Sequence, residues 1–223
     1  MTHAGLATTL PVAIQRLDVL HFLGYRGQGL PSARVAQALG EVMEQGRSLV
    51  TACGVHRTVR ADEVLSLGLA PIPRASLAIG LVTIGPALER EVSRLLARGE
   101  TTRALLLDAV GSAAAEGAAD LLEGRMRERV IGGSSRAGAA SRRFSPGYGR
   151  WPLTAQPALF ALVPHADIQV DLLPSCLMAP RKSVSFAVWL GPGDDPNAPE
   201  ACRTRRCAEC DLTNCLYRES DPS

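Results

Sequence analysis

Residues 76 to 84 form a compact apolar run, SLAIGLVTI, that contains no charged side chain. A short apolar run of this kind, followed by Gly and Pro, is typical of a buried β-strand. Because proline is tolerated at the first position of a helix, the Gly85-Pro86 pair predicts a helix that begins at Pro86. Gly99 should end this helix, and its apolar stripe should consist of Leu88, Val92, Leu95 and Leu96.

Two helices are predicted before this strand. Residues 13 to 25 carry apolar side chains at helical spacing, and a second helical pattern follows Ser32, which is a good N-cap. We expect the second helix to end near Cys53, with Gly54 as its C-cap. Residues 55 to 59 alternate weakly between apolar and polar and predict a short strand.

A long helix is predicted from residue 101 to about residue 130, and its middle consists almost entirely of small residues between positions 111 and 119. Glu116 lies within this stretch, and Asp120 follows one turn later on the same face. Composition alone favours a close helix–helix contact here, with Glu116 in solvent.

The second half of the chain contributes further strands. Residues 154 to 162 predict a short helix, and residues 168 to 173 and 184 to 190 predict strands. The last strand alternates in polarity, as expected for a sheet with one better-buried face. The expected fold class is α+β, with a mixed or antiparallel twisted sheet, flanking helices and a small cysteine-rich tail. We expect a helical segment over 1–75 packed on a core over 76–191, then a linker and tail over 192–223.

Composition excludes several classes of function. Among 223 residues the net charge is +2, which does not indicate nucleic acid or a membrane surface as a partner. No apolar run reaches the length of a membrane span, and the first ten residues lack the layout of a signal peptide. A cytoplasmic protein is therefore expected, in which clustered cysteines indicate metal or redox chemistry more than disulfides.

Four cysteines near the C-terminus follow the spacing C-x4-C-x2-C-x4-C. Four thiolates within so short a span can converge on one metal, and they suit zinc or an iron–sulfur cluster. Two disulfides or free thiols are the alternative. The predicted metal ligands are Cys202, Cys207, Cys210 and Cys215.

The stretch from Arg143 to Pro152 carries the candidate binding chemistry. Pro146 and Gly147 favour a tight turn, which would bring Arg143 and Tyr148 near one another. A guanidinium suits a carboxylate, and a phenol offers both a hydrogen bond and a flat face. The alternative is an ordinary turn with a surface Arg and a packed Tyr.

The pattern Arg-x-x-Pro-Gly-Tyr at 143–148 resembles the S-adenosylmethionine-binding motif of the activation (reactivation) domain of cobalamin-dependent methionine synthase. Residues 172 to 185 resemble that domain's next block, and the Ala115-Glu116 helix resembles its Ala-Glu-x-x-Ala-acid-x-Leu helix. The resemblance extends from about residue 77 to residue 190. The N-terminal part is similar to the short, stand-alone form of the family, whereas the four-cysteine tail is absent from its long enzymes.

This resemblance implies a role and a set of site residues. The chain would bind S-adenosylmethionine and serve the reductive re-methylation of an oxidised corrinoid (cobalamin) on a partner protein. Arg143 would bind the ligand carboxylate and Glu116 would face its ammonium, while Tyr148 and the backbone of Ser145 and Gly147 would hold the nucleoside. The task is mainly positioning, so no catalytic acid or base is expected. The family's early Asp-Trp motif has no match in this sequence.

The implied partners are a corrinoid-binding methyltransferase subunit and a flavodoxin or ferredoxin-type electron donor. The chain would then be an accessory reactivation subunit and not a complete enzyme, and a cluster in its tail could pass the reducing electron. A second hypothesis is a non-enzymatic zinc or iron–sulfur adaptor that docks to a corrinoid protein. A third hypothesis is a methyltransferase that acts on another acceptor. The absence of a glycine-rich Rossmann motif counts against this third hypothesis.

Overall fold

The computed structural model describes residues 7–25, 31–72, 75–131, 141, 143–148 and 151–190. Its elements in chain order are β1 (Thr8–Thr9), α1 (Arg16–Phe22), α2 (Ala33–Leu49), β2 (Cys53–Val59), α3 (Ala61–Ser66), β3 (Ser76–Thr83), α4 (Ala87–Ala97), α5 (Thr101–Ile131), a 3₁₀ turn (Leu153–Ala155), α6 (Gln156–Leu162), a second 3₁₀ turn (His165–Ile168), β4 (Asp171–Leu172), β5 (Met178–Ala179) and β6 (Ser183–Leu190).

Four strands form an antiparallel sheet in the order β1–β2–β3–β6. The apolar strand β3 lies between β2 and β6 and pairs with both along its whole length, from Ser76 opposite Leu190 to Thr83 opposite Ser183 on the β6 side. A two-stranded ribbon, β4–β5, stands apart from this sheet. The expected α+β class, with an antiparallel sheet and flanking helices, is confirmed.

Both faces of the sheet are covered. Helix α5 packs on one face, with α1, α2 and α4 against it, and Val82, Leu122 and Phe186 belong to the apolar core on this side. Residues 151 to 170 cover the other face, where Ile79 and Trp189 belong to a second core. The expectation of a single better-buried face for β6 is therefore wrong. A second layer of residues buries the small and polar side chains of β6 as well, and the alternation of polarity along the strand does not reveal this layer.

The helix predicted to run to Gly54 ends earlier, at Leu49, although Ser32 caps its N-terminus as expected by accepting the Val35 N–H at 3.4 Å. Gly54 lies in β2 and is not a C-cap. A Cβ atom on Gly54 would stand 2.9 Å from Val82 Cγ1 and 3.1 Å from Leu122 Cδ2. The glycine is thus needed where α5 crosses close over the sheet, and the first 75 residues contribute strands as well as helices.

Three further expectations change in detail. On α4, Leu88, Val92 and Leu95 are buried, but Leu96 is 53% exposed. The expected strand over 168–173 is a 3₁₀ turn followed by the two-residue strand β4. Helix α3 was not anticipated, and the Glu63 carboxylate caps it by accepting the Arg60 N–H at 3.0 Å. None of the helices in the described ranges is long and apolar enough to cross a membrane.

Candidate functional site

The small residues of α5 let this helix approach its neighbours closely, as composition predicted. A Cβ atom on Gly111 would stand 2.6 Å from Leu88 Cδ2 on α4, and one on Gly117 would stand 3.2 Å from Val12 Cγ1. The alanines between and beyond these glycines are buried. Helix α5 is therefore closely packed against several neighbours, and it also carries the acidic residues of the site.

Three acidic side chains follow one another along α5 at positions i, i+4 and i+7, and all three face Arg143. Arg143 Nη2 donates to Glu116 Oε2, and Arg143 Nη1 donates to Asp120 Oδ1. The carboxylate of Glu123 is more distant, with Oε2 3.6 Å from Arg143 Nη1. Composition alone placed Glu116 in solvent; its side chain is 44% exposed, but its carboxylate is also paired with Arg143.

Arg143 is largely removed from solvent. Its side chain is 20% exposed, and its guanidinium carbon lies 5.9 Å from the centroid of the Phe186 ring on β6. Burial lowers the pKa of Arg143, but the charges of Glu116 and Asp120 more than offset that effect, so the pKa lies above its ordinary value. The guanidinium is a permanent cation at this site.

The segment that carries Arg143 is held against the outer edge of β6. Phe144 and Ala187 exchange backbone hydrogen bonds of 3.0 and 2.8 Å. Ser141 forms two hydrogen bonds with Trp189, both of 2.9 Å. Its backbone N–H donates to the Trp189 carbonyl, and its side-chain Oγ accepts the Trp189 N–H. Arg127 on α5 donates to the Ser141 carbonyl at 2.7 Å. These contacts fix the segment between α5 and the sheet.

The predicted Pro-Gly turn is present. Gly147 has φ +92°, and its N–H donates to the Trp151 carbonyl at 2.8 Å, while the Tyr148 N–H donates to the Ser145 carbonyl at 3.2 Å. The Tyr148 ring is 73% exposed. The turn therefore leaves the aromatic ring of Tyr148 in solvent, shortly after the segment that carries the mostly buried Arg143.

The block from 172 to 185 contacts α5 and α6. Lys182, the single lysine of the sequence, donates to Ser112 Oγ at 2.8 Å and forms an ion pair of 2.9 Å with Asp108. Ser185 Oγ donates to Gln156 Oε1 at 3.3 Å, and Gln156 Nε2 donates to the Cys176 carbonyl at 3.2 Å. The block is thereby tied to both α5 and α6.

Asp120, Glu123 and Arg127 join the site residues expected from sequence. The signal for the two acids was available, because acids at i, i+4 and i+7 share one face of a helix, but only the family resemblance, through Glu116, connected that face to Arg143. The four cysteines of the tail lie outside the described residues. Within the described ranges, no group of three or more His, Cys, Asp or Glu side chains could hold a metal ion. Cys53 and Cys176 are free, partly buried thiols there, and burial raises the pKa of Cys53.

No model of a known protein family matches the chain, and no curated protein matches it either. Among solved structures, the chain is similar to one described as the crystal structure of the MetH reactivation domain bound to AdoHcy. The TM-score is 0.62 and the sequence identity is 15%, over 87% of this chain and 81% of that chain. At this level of identity the similarity establishes a shared fold.

Proposed function

We propose that this chain binds S-adenosylmethionine and supports the reductive re-methylation of an oxidised corrinoid on a partner methyltransferase subunit. One observation carries the proposal: Arg143, the carboxylate binder implied by its motif, lies against Glu116, the implied ammonium partner, 27 positions away in the sequence. The shared fold with a reactivation domain that was crystallised with AdoHcy supports it independently.

The site would act by positioning. Arg143 would bind the α-carboxylate of the ligand and Glu116 its α-ammonium, while Tyr148 and the backbone of Ser145 and Gly147 would hold the nucleoside. A corrinoid on the partner would supply the cobalt that accepts the methyl group, after one electron from a flavodoxin or ferredoxin-type donor. Because the sulfonium leaves as a neutral thioether, no protein acid or base has to act.

For the tail we propose metal binding on its sequence alone. Cys202, Cys207, Cys210 and Cys215 offer four thiolates, a donor set that suits Zn²⁺ or an iron–sulfur cluster. Bound metal would supply either a rigid docking element or a redox centre. Metal analysis and the ultraviolet–visible spectrum of anaerobically purified protein distinguish zinc from a cluster, and protein free of both would contradict the assignment.

Calorimetric titration with S-adenosylmethionine tests the ligand site. We expect saturable binding by the wild-type chain and its loss in Arg143→Ala, because the substitution removes the guanidinium that would compensate the ligand carboxylate. Arg47→Ala is a matched control, since Arg47 forms an exposed ion pair with Glu44 on α2, away from the site. Equal binding by Arg143→Ala and wild type would refute the assignment of Arg143.

A non-enzymatic adaptor is the second candidate, and one observation favours it. Acidic groups of the chain itself already occupy the guanidinium of Arg143, as in a purely structural ion-pair network. A folded wild-type protein that binds metal but not S-adenosylmethionine, alone or with a corrinoid protein added, would make this the leading function.

A further inference from the structure

The three carboxylates that face Arg143 differ in the free-energy cost of leaving it. The Glu123 side chain is 14% exposed, and its Oε1 also accepts Arg127 Nε at 3.0 Å, so it is held from two sides. Glu116 is 44% exposed and Asp120 is 70% exposed. An exposed carboxylate that leaves an ion pair regains water at little cost, whereas a buried one does not. Asp120 is therefore the partner of Arg143 that exchanges most readily.

Leaving Arg143 without a counter-ion would cost more free energy than moving Asp120 into solvent. Its side chain is 20% exposed and lies over the Phe186 ring. An uncompensated, mostly buried cation is strongly unfavourable. In the proposed complex Glu116 would face the ligand's ammonium, and Glu123 is shared with Arg127, so a group that displaces Asp120 should bring a negative charge of its own to Arg143.

Building on the proposed function, we propose that Asp120 is a resident counter-ion of Arg143, which the carboxylate of an incoming ligand replaces. The ligand's ammonium would keep Glu116 compensated, while Asp120 turns into solvent. Asp120 is then a specificity-determining residue: it competes only with ligands that carry a carboxylate. A nucleoside thioether without the amino-acid group has nothing to exchange with it.

Two probes separate these cases. S-adenosylhomocysteine carries the carboxylate and the ammonium, and 5′-methylthioadenosine has the same nucleoside thioether without them. Each is titrated calorimetrically, at low salt, into wild type, Asp120→Asn and Glu128→Gln. Glu128 is an exposed acid on α5, so its neutralisation is a control for net charge. Asp120→Ser provides a second neutral variant, and far-ultraviolet circular dichroism verifies folding.

We expect both Asp120 variants to bind S-adenosylhomocysteine roughly two- to five-fold more tightly than wild type, the gain from removing one exposed competing ion pair. Their affinity for 5′-methylthioadenosine should not change, and Glu128→Gln should match wild type with both probes. Weaker or unaltered binding of S-adenosylhomocysteine, or an equal change for both probes, would overturn the role of Asp120 alone. Failure of wild type to bind S-adenosylhomocysteine would overturn the proposed function, and this inference with it.

Discussion

Gly80 on β3 and Phe186 on β6 are direct partners across the sheet, and a Cβ atom on Gly80 would stand 2.6 Å from Phe186 Cζ. The tip of the ring therefore occupies the space that a side chain at position 80 would fill, and the guanidinium carbon of Arg143 lies 5.9 Å from the centroid of the same ring. A residue without a side chain in the central strand thus makes room for the ring that Arg143 packs on.

Gly80→Ala should destabilise the fold by about 1–3 kcal/mol, because the added methyl group overpacks against a fully buried ring. Denaturant unfolding measures this change. Gly40→Ala on α2 is the control: a Cβ there meets nothing within 4 Å, and alanine favours helix by up to about 1 kcal/mol. Equal stability of Gly80→Ala and wild type would show that the ring can move aside.

Ser141→Ala should cost about 1–3 kcal/mol, since it removes the hydroxyl that accepts the N–H of the buried Trp189. Ser93→Ala removes a hydroxyl that bonds a carbonyl on an exposed helix face and should change stability by less than about 0.5 kcal/mol. Chemical denaturation of both variants provides the comparison. Identical losses for the two serines would contradict the role of Ser141 at the sheet edge.

Tyr148→Ala should leave the free energy of unfolding within about 0.5 kcal/mol of wild type, because the ring is 73% exposed. If the ring contacts the nucleoside, the same substitution should weaken the binding of S-adenosylmethionine roughly ten-fold. Thermal unfolding and calorimetric titration are read on one sample. Unchanged affinity would remove Tyr148 from the site.

Glu91→Gln should make the free energy of unfolding depend less on pH in the acid range. Hydrogen bonds from Arg94 lower the pKa of Glu91 below its ordinary value, despite its burial. A depressed carboxylate pKa stabilises the fold above the unfolded value of about 4.3, and this contribution is lost as pH falls through the folded value. The variant should therefore be less stable than wild type at pH 7, and the gap should narrow between about pH 5 and pH 3. Urea unfolding at several pH values measures the gap, and a constant gap would contradict the prediction.

Lys182 should react slowly with amine-acylating reagents in the native state. Its side chain is 15% exposed, and its ammonium is bound to Ser112 and Asp108. Asp108→Asn should accelerate acylation several-fold by loosening the ammonium, whereas Glu128→Gln should not. Because the sequence holds a single lysine, the mass of a labelled peptide reports this site directly. Equal rates in native and urea-unfolded protein would show that these contacts do not protect it.

Local patterns predicted the elements whose signals are local. The apolar run of β3, the Ser32 cap and the end of α4 just before Gly99, which has φ +77°, all depend on neighbours in the sequence, and all are confirmed. The prediction of Gly54 as a C-cap is wrong because a glycine that ends a helix and one that admits a crossing helix look alike in sequence. The position of Leu122 against it is decided only by the tertiary fold.

The same limit applies to the site. The motif around Arg143 and the acids of α5 were each recognisable, but their pairing joins positions 20 to 27 residues apart. From the sequence we expected Arg143 to bind the carboxylate of a ligand, whereas in the structure acidic side chains of the chain itself already pair with it. Whether a charged residue is free or paired depends on which surfaces the chain brings together.

The segment from Ser141 to Phe144 has a second consequence, which concerns how this protein can change over evolutionary time. By bonding to Trp189 and Ala187, it covers the backbone of an outer strand that would otherwise invite pairing with another chain. A lineage that lost the proposed ligand could replace the exposed Tyr148 at little cost to stability, but deletion of the segment would expose that strand. Loss of function should therefore appear among relatives as point substitution within a retained segment, and not as a shortened chain.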